Sequence, residues 1–277
     1  MKPAAFDYIR ADSLAETVDL LAQYGEDAKI LAGGQSLMAM LNIRLAQPAM
    51  LVDISRCRDL DYVRIENGQL VVGAAATQAS VETRASLGAE VPLLELAFPW
   101  ISHFQIRNRG TVCGSVAHAD PSAELPLCLT ALQGEVVLRS KAGRRVLKAD
   151  DFFQGMLMTA IKPGEIVEEV RFPLRQPGAR HAFQEVSMRH GDFAIVALAA
   201  VVTDSAIELT AGGVADRPQR KRWARIDGAD LDDALNDFAW QLEAQGDAHA
   251  SAEYRRHLVR QLGRQLIVNA TNLKSTS

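Results

Sequence analysis

Ala32-Gly33-Gly34-Gln35-Ser36-Leu37 and Thr111-Val112-Cys113-Gly114-Ser115-Val116 are the stretches on which the reading of this chain turns. Both are built from small residues, and each is expected beside a strand. The first continues Lys29-Ile30-Leu31-Ala32, a short apolar run that reads as a buried strand, and Ser36 stands where it can cap a helix starting at Leu37. A diphosphate concentrates negative charge, and a protein holds it by aiming several backbone N–H groups at it. Such a nest needs side chains out of the way and positive φ angles, and glycine supplies both. Ser36, Thr111 and Ser115 add hydroxyl donors. A Gly-Gly turn between strand and helix is also an ordinary structural device, so residue chemistry alone supports two anion-holding turns and no more.

Around these stretches the pattern alternates between helix and strand. Ser13-Leu14-Ala15-Glu16 has the form of a capping box, with Leu14, Val18 and Leu21 on one helical face and Gly25 as its stop. Residues 50–54 read as a second buried strand. Asn67-Gly68 suits a type I′ turn between strand-like residues of a 63–72 hairpin. Helices are expected over 77–84, 92–103 and 122–132, the first capped by Thr77. A second hairpin, 135–139 with 144–147, and a strand over 166–172 closed by Pro173 complete this part. Arg175-Gln176-Pro177-Gly178 interrupts both periodicities and reads as a linker. Beyond it three strands are expected, over 182–188, 193–203 and 206–214, followed by two helices. In the last helix Tyr254, Leu258, Leu262 and Leu266 form a stripe with Ser251 as cap, and Arg255 and Arg256 read as a solvated face or an intersubunit contact.

The 277 residues carry a formal net charge of −4, which disfavours nucleic-acid or anionic-membrane partners. No apolar run approaches the ~18 residues of a membrane span, and the N-terminal residues lack a signal peptide's apolar core. A cytoplasmic location is the default expectation. Cys57, Cys113 and Cys128 cannot supply four thiolates to an iron–sulfur cluster and are expected as buried or half-buried free thiols. The six histidines show no metal-ligand spacing, and no Rossmann, P-loop or hydrolase fingerprint is present.

Residues 104–126, FQIRNRGTVCGSVAHADPSAELP, make the second stretch specific. Together with AGGQSL at 32–37, DFFQG at 151–155, residues 157–173 and RHGDFA at 189–194, this run resembles the flavoprotein, or medium, subunit of the xanthine dehydrogenase and carbon monoxide dehydrogenase family. GGVADRP at 212–218 and SAEYRR at 251–256 are similar to that family's C-terminal domain, so the resemblance covers nearly the whole chain in order and spacing.

The resemblance implies an α+β fold: a FAD-binding domain of the vanillyl-alcohol-oxidase type over 1–176, with subdomains of about 1–57 and 58–176. A C-terminal flavoprotein domain over 177–277 would have a three-stranded antiparallel sheet and helices. It implies that Ile30, Leu31, Ala32, Gly33, Gly34, Gln35, Ser36 and Leu37, with Thr111, Val112, Gly114 and Ser115, embrace the FAD diphosphate. Ile101 and Ala117 would lie near the isoalloxazine, and Asp120 and Glu124 would face the hydroxyl-rich part of the cofactor. Ile166 and Val167 would pack on the adenine side, Gln184 would lie in the flavin's surroundings, and Phe193 would cover one flavin face. The chain departs from the family where Gly-Gly-Asn is usual and Cys113-Gly114-Ser115 stands, and where some members carry Asp for Glu124 or Lys for Gln184.

The implied function is electron transfer without a catalytic acid–base residue in this chain. A molybdenum-cofactor large subunit would oxidise the substrate, and [2Fe–2S] clusters of a small subunit would feed this chain's FAD. An external acceptor (NAD, a quinone, a soluble carrier or oxygen) would empty it. Two alternatives stand beside this: a self-sufficient flavin oxidase or reductase using His118 or His190, and an assembly protein that has lost its cofactor.

Overall fold

The computed structural model describes residues 2–272. The N-terminal layer is a three-stranded parallel sheet, with Met50–Asp53 between Asp7–Arg10 and Ala28–Leu31. Asp7–Arg10 escaped the sequence reading because it is a mostly exposed edge strand without an apolar alternation. Helix Leu14–Tyr24 packs on this sheet through Val18 and Leu21. Ser13 caps it, accepting from the Glu16 amide at 3.1 Å, while the Glu16 carboxylate accepts from Asp12 N at 2.7 Å.

The next layer is a five-stranded antiparallel sheet in the order Val63–Glu66, Gln69–Gly73, Ile166–Pro173, Glu135–Ser140, Gly143–Lys148. The two expected hairpins are its outer pairs, and Asn67 and Gly68 take the positive φ values of 49° and 73° that a type I′ turn requires. The helix expected over 92–103 is shorter: Pro92–Ala97 is helical, and Phe98–Trp100 tightens into a 3₁₀ turn. Helix Glu124–Ala131 is buried along its whole length, because the sheet of the C-terminal region closes over it.

That C-terminal sheet has four antiparallel strands, not three: Arg180–Ser187, Ala194–Val202, Ala206–Gly212 and Gln219–Ala224. The fourth, Gln-Arg-Lys-Arg-Trp-Ala, is a charged edge strand, and charge on an edge hides a strand from a reading based on apolar runs. Ala194–Val202 is apolar throughout because both its faces are covered. Ala197 and Ala199 join the core around helix Glu124–Ala131, while Val196, Leu198, Ala200 and Val202 join a second core. Helices Gly228–Gln241 and Ala252–Asn272 close that second core.

Arg255 belongs to the interior rather than to a solvated face. It is 4% exposed, donates to the carbonyl of Ile195 at 2.6 Å and to that of Gly213, and pairs with Asp247 at 2.5 Å. The helix therefore presents Arg255, Leu258, Val259 and Leu266 inward and leaves Tyr254 exposed. Cys57, Cys113 and Cys128 are buried free thiols.

Candidate cofactor site

Ile30 and Leu31 end the strand Ala28–Leu31, and Ala32–Gln35 turn away from it into helix Leu37–Asn42. Gly34 sits at φ 73°, the left-handed value the Gly-Gly pair was expected to supply. Ser36 has helical angles and makes no side-chain cap bond, so its hydroxyl does not start the helix. Among the described residues, the bonds that fix this turn run to its carbonyls. Gly33 O accepts from the Gln35 side chain at 2.9 Å, Gly34 O from Met38 N at 3.0 Å, and Leu31 O from Ile54 N at 3.0 Å.

The second stretch differs from expectation. It follows the short helix Phe104–Arg107, not a strand, and Val112, Cys113, Gly114, Ser115 and Ala117 all lie within helix Val112–His118. Thr111 is its N-cap, accepting from Gly114 N at 3.0 Å, so the true loop is 108–111. That loop is tied down where Gln78 N donates to Gly110 O at 2.8 Å and Gly110 N to Ile106 O at 2.7 Å. The Cys113 thiol points into the core, 3.3 Å from the carbonyl of Val72, and burial pushes its pKa up. The unusual Cys113 therefore fills core space and leaves the ligand side of the turn unobstructed.

The two stretches touch. A methyl group on Gly33 would stand 2.0 Å from the carbonyl oxygen of Arg109 and 2.7 Å from Gly110 Cα. Two adjoining hollows of about 300 and 270 Å³ open beside this contact and share Ala32, Gly33, Ser55 and Arg109. Leu31, Gly34, Gln35, Met38 and Asp53 line the first; Arg56, Ala75, Thr77, Asn108 and Thr111 line the second. Asp53, Ser55 and Arg56 were not anticipated, since nothing local distinguishes the end of an ordinary buried strand. Asp53 is anchored: its carboxylate accepts from the Tyr8 hydroxyl and from Ser55 N at 2.7 Å. Burial pushes its pKa up, but these donors outweigh it and hold it below the ordinary value. Among the expected phosphate residues, Val112 is buried, Leu37 begins its helix, and Ser36, Gly114 and Ser115 line neither hollow.

The remaining expected residues lie on elements bordering the core that the five-stranded sheet shares with one face of the C-terminal sheet. Ile101 is buried beside the turn 98–100, and its carbonyl accepts from Arg107 at 2.8 Å while Arg107 pairs with Glu82 at 2.7 Å. Arg107 is thus structural. Phe193 is 75% exposed and ends the loop 188–193, which rests on residues 100–103: Gly191 lies against the Ser102 carbonyl, and His190 meets Trp100 edge-on at 5.3 Å. Asp120 accepts from Ser122 N at 2.8 Å, and Glu124 opens the buried helix. Burial pushes the Glu124 pKa up to about 7. Ile166 and Val167 are buried at the start of the central strand.

Gln184 is the exception. Its cross-strand partner is Leu198, and its strand neighbours Ala182 and Val186 pack into the second core, so it faces the C-terminal helices. The residue this register turns toward Glu124 is Glu185, opposite Ala197. Its two carboxyl oxygens are buried without a hydrogen-bond partner among the described residues, the kind of deficit a hydroxyl-rich ligand would fill. Among the described residues no group of three or more His, Cys, Asp or Glu side chains is placed to hold a metal, and no helix is long and apolar enough to cross a membrane.

Residues 4–175 match the family described as the FAD binding domain in molybdopterin dehydrogenase, and residues 181–270 the CO dehydrogenase flavoprotein C-terminal domain. The chain is 38% identical to the alpha subunit of the 6-hydroxypseudooxynicotine dehydrogenase complex of Paenarthrobacter nicotinovorans, over 98% of this chain and 96% of that one. It is 35% identical to the glyceraldehyde dehydrogenase medium chain of Sulfolobus acidocaldarius, over 95% and 97% of the two. Among solved structures it superimposes on a chain of CO dehydrogenase from Oligotropha carboxidovorans with a TM-score of 0.92 at 32% identity, covering 98% of this chain and 99% of the other.

Proposed function

Because this chain belongs to the family of FAD-binding medium subunits of molybdopterin dehydrogenases, we propose that it seats FAD across its two small-residue turns and relays electrons between partner subunits and an external acceptor. The observation that carries this reading is the contact of Gly33 with the 109–110 backbone, which brings the two turns together where two adjoining hollows open.

In this reading the diphosphate lies against Ala32–Gln35 and the Thr111 turn, with Arg109 adding positive charge at the rim. Asn108 and Thr111 line the second wall, and Gly114 and Ser115 follow in the helix that Thr111 caps. Ile101 and Ala117 flank the isoalloxazine, Asp120 and Glu124 accept hydrogen bonds from cofactor hydroxyls, and Ile166 and Val167 lie on the adenine side. Phe193, held out by the loop that rests on Trp100, covers an exposed flavin face and controls access to it. Bound FAD supplies a centre that takes up electrons and releases them as a pair or singly. The chain's own work is to hold the cofactor, exclude water from one side and leave the other open.

The electron source is a small subunit carrying [2Fe–2S] clusters, and substrate oxidation belongs to a large subunit carrying the molybdenum cofactor. The acceptor is NAD, a quinone, a carrier or oxygen. The relatives are named for different substrates, which fits a flavoprotein subunit that does not touch the substrate. Purification of the chain alone tests the reading. It should take up added FAD, turn yellow, and be reduced only when the iron–sulfur subunit is supplied. Reduction of the isolated chain by an organic substrate, or failure to take up FAD, would overturn it.

A further inference from the structure

Glu185 is 4% exposed and lies on the inner face of strand Arg180–Ser187, where the sheet closes over helix Glu124–Ala131. Glu124, 8% exposed, is the first residue of that helix, and Cys128 is one turn further along the same side. Burial pushes the Cys128 thiol up and the charges of Glu124 and Glu185 add to this, so both carboxyls lie near the same thiol. Among the described residues neither is paired with a cation. The helix adds Cys128 as a titratable neighbour, the turn before it adds Asp120, and the preceding helix adds His118, which burial holds below its ordinary value although Asp120 pulls it up. The facing sheet offers Ala197, Ala199 and Thr210, and Glu208 on the same inner strand as Thr210 is already held by Arg220 at 2.8 Å. Helix Pro92–Ala97 presents Leu93, Leu94 and Ala97.

Two carboxyls buried this deeply, that of Glu185 without a hydrogen-bond partner among the described residues, cannot both be charged, because each loses its hydration and repels the other. We propose that Glu185 is a second carboxyl of the cofactor seat, that it and Glu124 hold one proton between them while the seat is empty, and that the hydroxyls of the cofactor's polyol chain displace this proton by donating to the pair. The inference rests on the FAD reading above and deepens it. Burial pushes Glu124 up to about 7, and burial together with the Glu124 charge pushes Glu185 up to about 8, both toward the protonated form. A hydroxyl donor favours the ionised form, so filling the seat lowers both affinities for the proton.

Apoprotein is titrated with FAD between pH 6 and 9, following quenching of flavin fluorescence, and proton release is read with a pH dye in weak buffer. Linkage to one proton makes FAD binding tighten by up to about tenfold per pH unit until Glu185 is ionised in the empty protein. Binding should release close to one proton at pH 7, and Glu185→Gln should flatten the profile and abolish the release. FAD uptake with a flat wild-type profile, or a Glu185→Gln profile identical to wild type, overturns the inference alone. Failure of FAD uptake at every pH overturns both it and the proposed function. The melting of wild-type apoprotein gives an independent reading that needs no variant to fold. A carboxyl raised in the folded state stabilises at low pH, and that stability is lost as pH rises from the ordinary carboxylate range to about 8. A melting temperature unchanged across that window overturns the shared proton.

Discussion

Replacing Gly33 by Ala puts the closure of the two turns to the test. The added methyl would stand 2.0 Å from the Arg109 carbonyl oxygen, where an ordinary carbon–oxygen contact is about 3.3 Å, so about 1.3 Å must be found. The 109–110 backbone cannot retreat freely, because Gly110 is bonded on one side to Ile106 and on the other to Gln78. Gly33 is not at positive φ, so the substitution acts through this clash and not through backbone preference. Overpacking of this kind costs about 1–3 kcal/mol. Expressed in the bound state, that weakens FAD by about 5- to 150-fold at 1.4 kcal/mol per tenfold. The assay is a fluorescence titration of apoprotein with FAD, run beside a thermal melt. Gly68→Ala serves as control: its φ of 73° makes it destabilising by about 1 kcal/mol, but it lies in a hairpin with open space around it and should leave FAD affinity alone. A Gly33→Ala protein with both wild-type affinity and wild-type melting would refute the claim that the bare Gly33 joins the turns.

Cys113→Ala should retain FAD uptake and lose about 1 kcal/mol of stability, measured by denaturant titration, because the thiol packs inward against Val72 and not toward the recess. Arg255→Met should destabilise by about 3–5 kcal/mol, leaving Asp247 and the carbonyls of Ile195 and Gly213 without their donor, and Lys should not rescue it since one ammonium cannot reproduce the planar fork. The carboxyl of Glu169 is fully buried; burial pushes its pKa up, but the Tyr62 hydroxyl at 2.5 Å and the Arg171 and Arg144 guanidiniums outweigh this and hold it below the ordinary value. Its stabilisation is therefore present above the ordinary carboxylate range and lost as pH falls through the lowered value. Acid melts of Glu169→Gln should show a shallower decline than wild type. Phe193→Ala should leave the melting temperature unmoved, since the ring is mostly exposed, yet change the rate at which an external acceptor reoxidises the reduced protein.

What was legible from residues was local. The capping box at Ser13, the Asn67-Gly68 turn, the two hairpins and the positive φ of Gly34 are each decided by a few neighbouring side chains, and each is present. The polar edge strands Asp7–Arg10 and Gln219–Ala224 were not legible. An edge strand owes its existence to a partner supplied by distant sequence, and its own residues need not be apolar. Arg255 read as solvated for the same reason: only the packing of Ala252–Asn272 on the sheet brings two carbonyls to its guanidinium.

The family, and with it the expectation of FAD, rested on order and spacing of short motifs along the whole chain, and these need no coordinates. The tertiary structure alone decided which of the motif residues face one another. It placed the turn of the second stretch at 108–111, because Thr111 closes a helix cap and sends Val112 and Cys113 into the core. It turned Gln184 toward the C-terminal helices and Glu185 toward the opposite core, because alternation along a strand assigns neighbouring residues to opposite faces, and only the packed partners on each face reveal which side is which. Strand period is a local property; the identity of what covers each face is a global one.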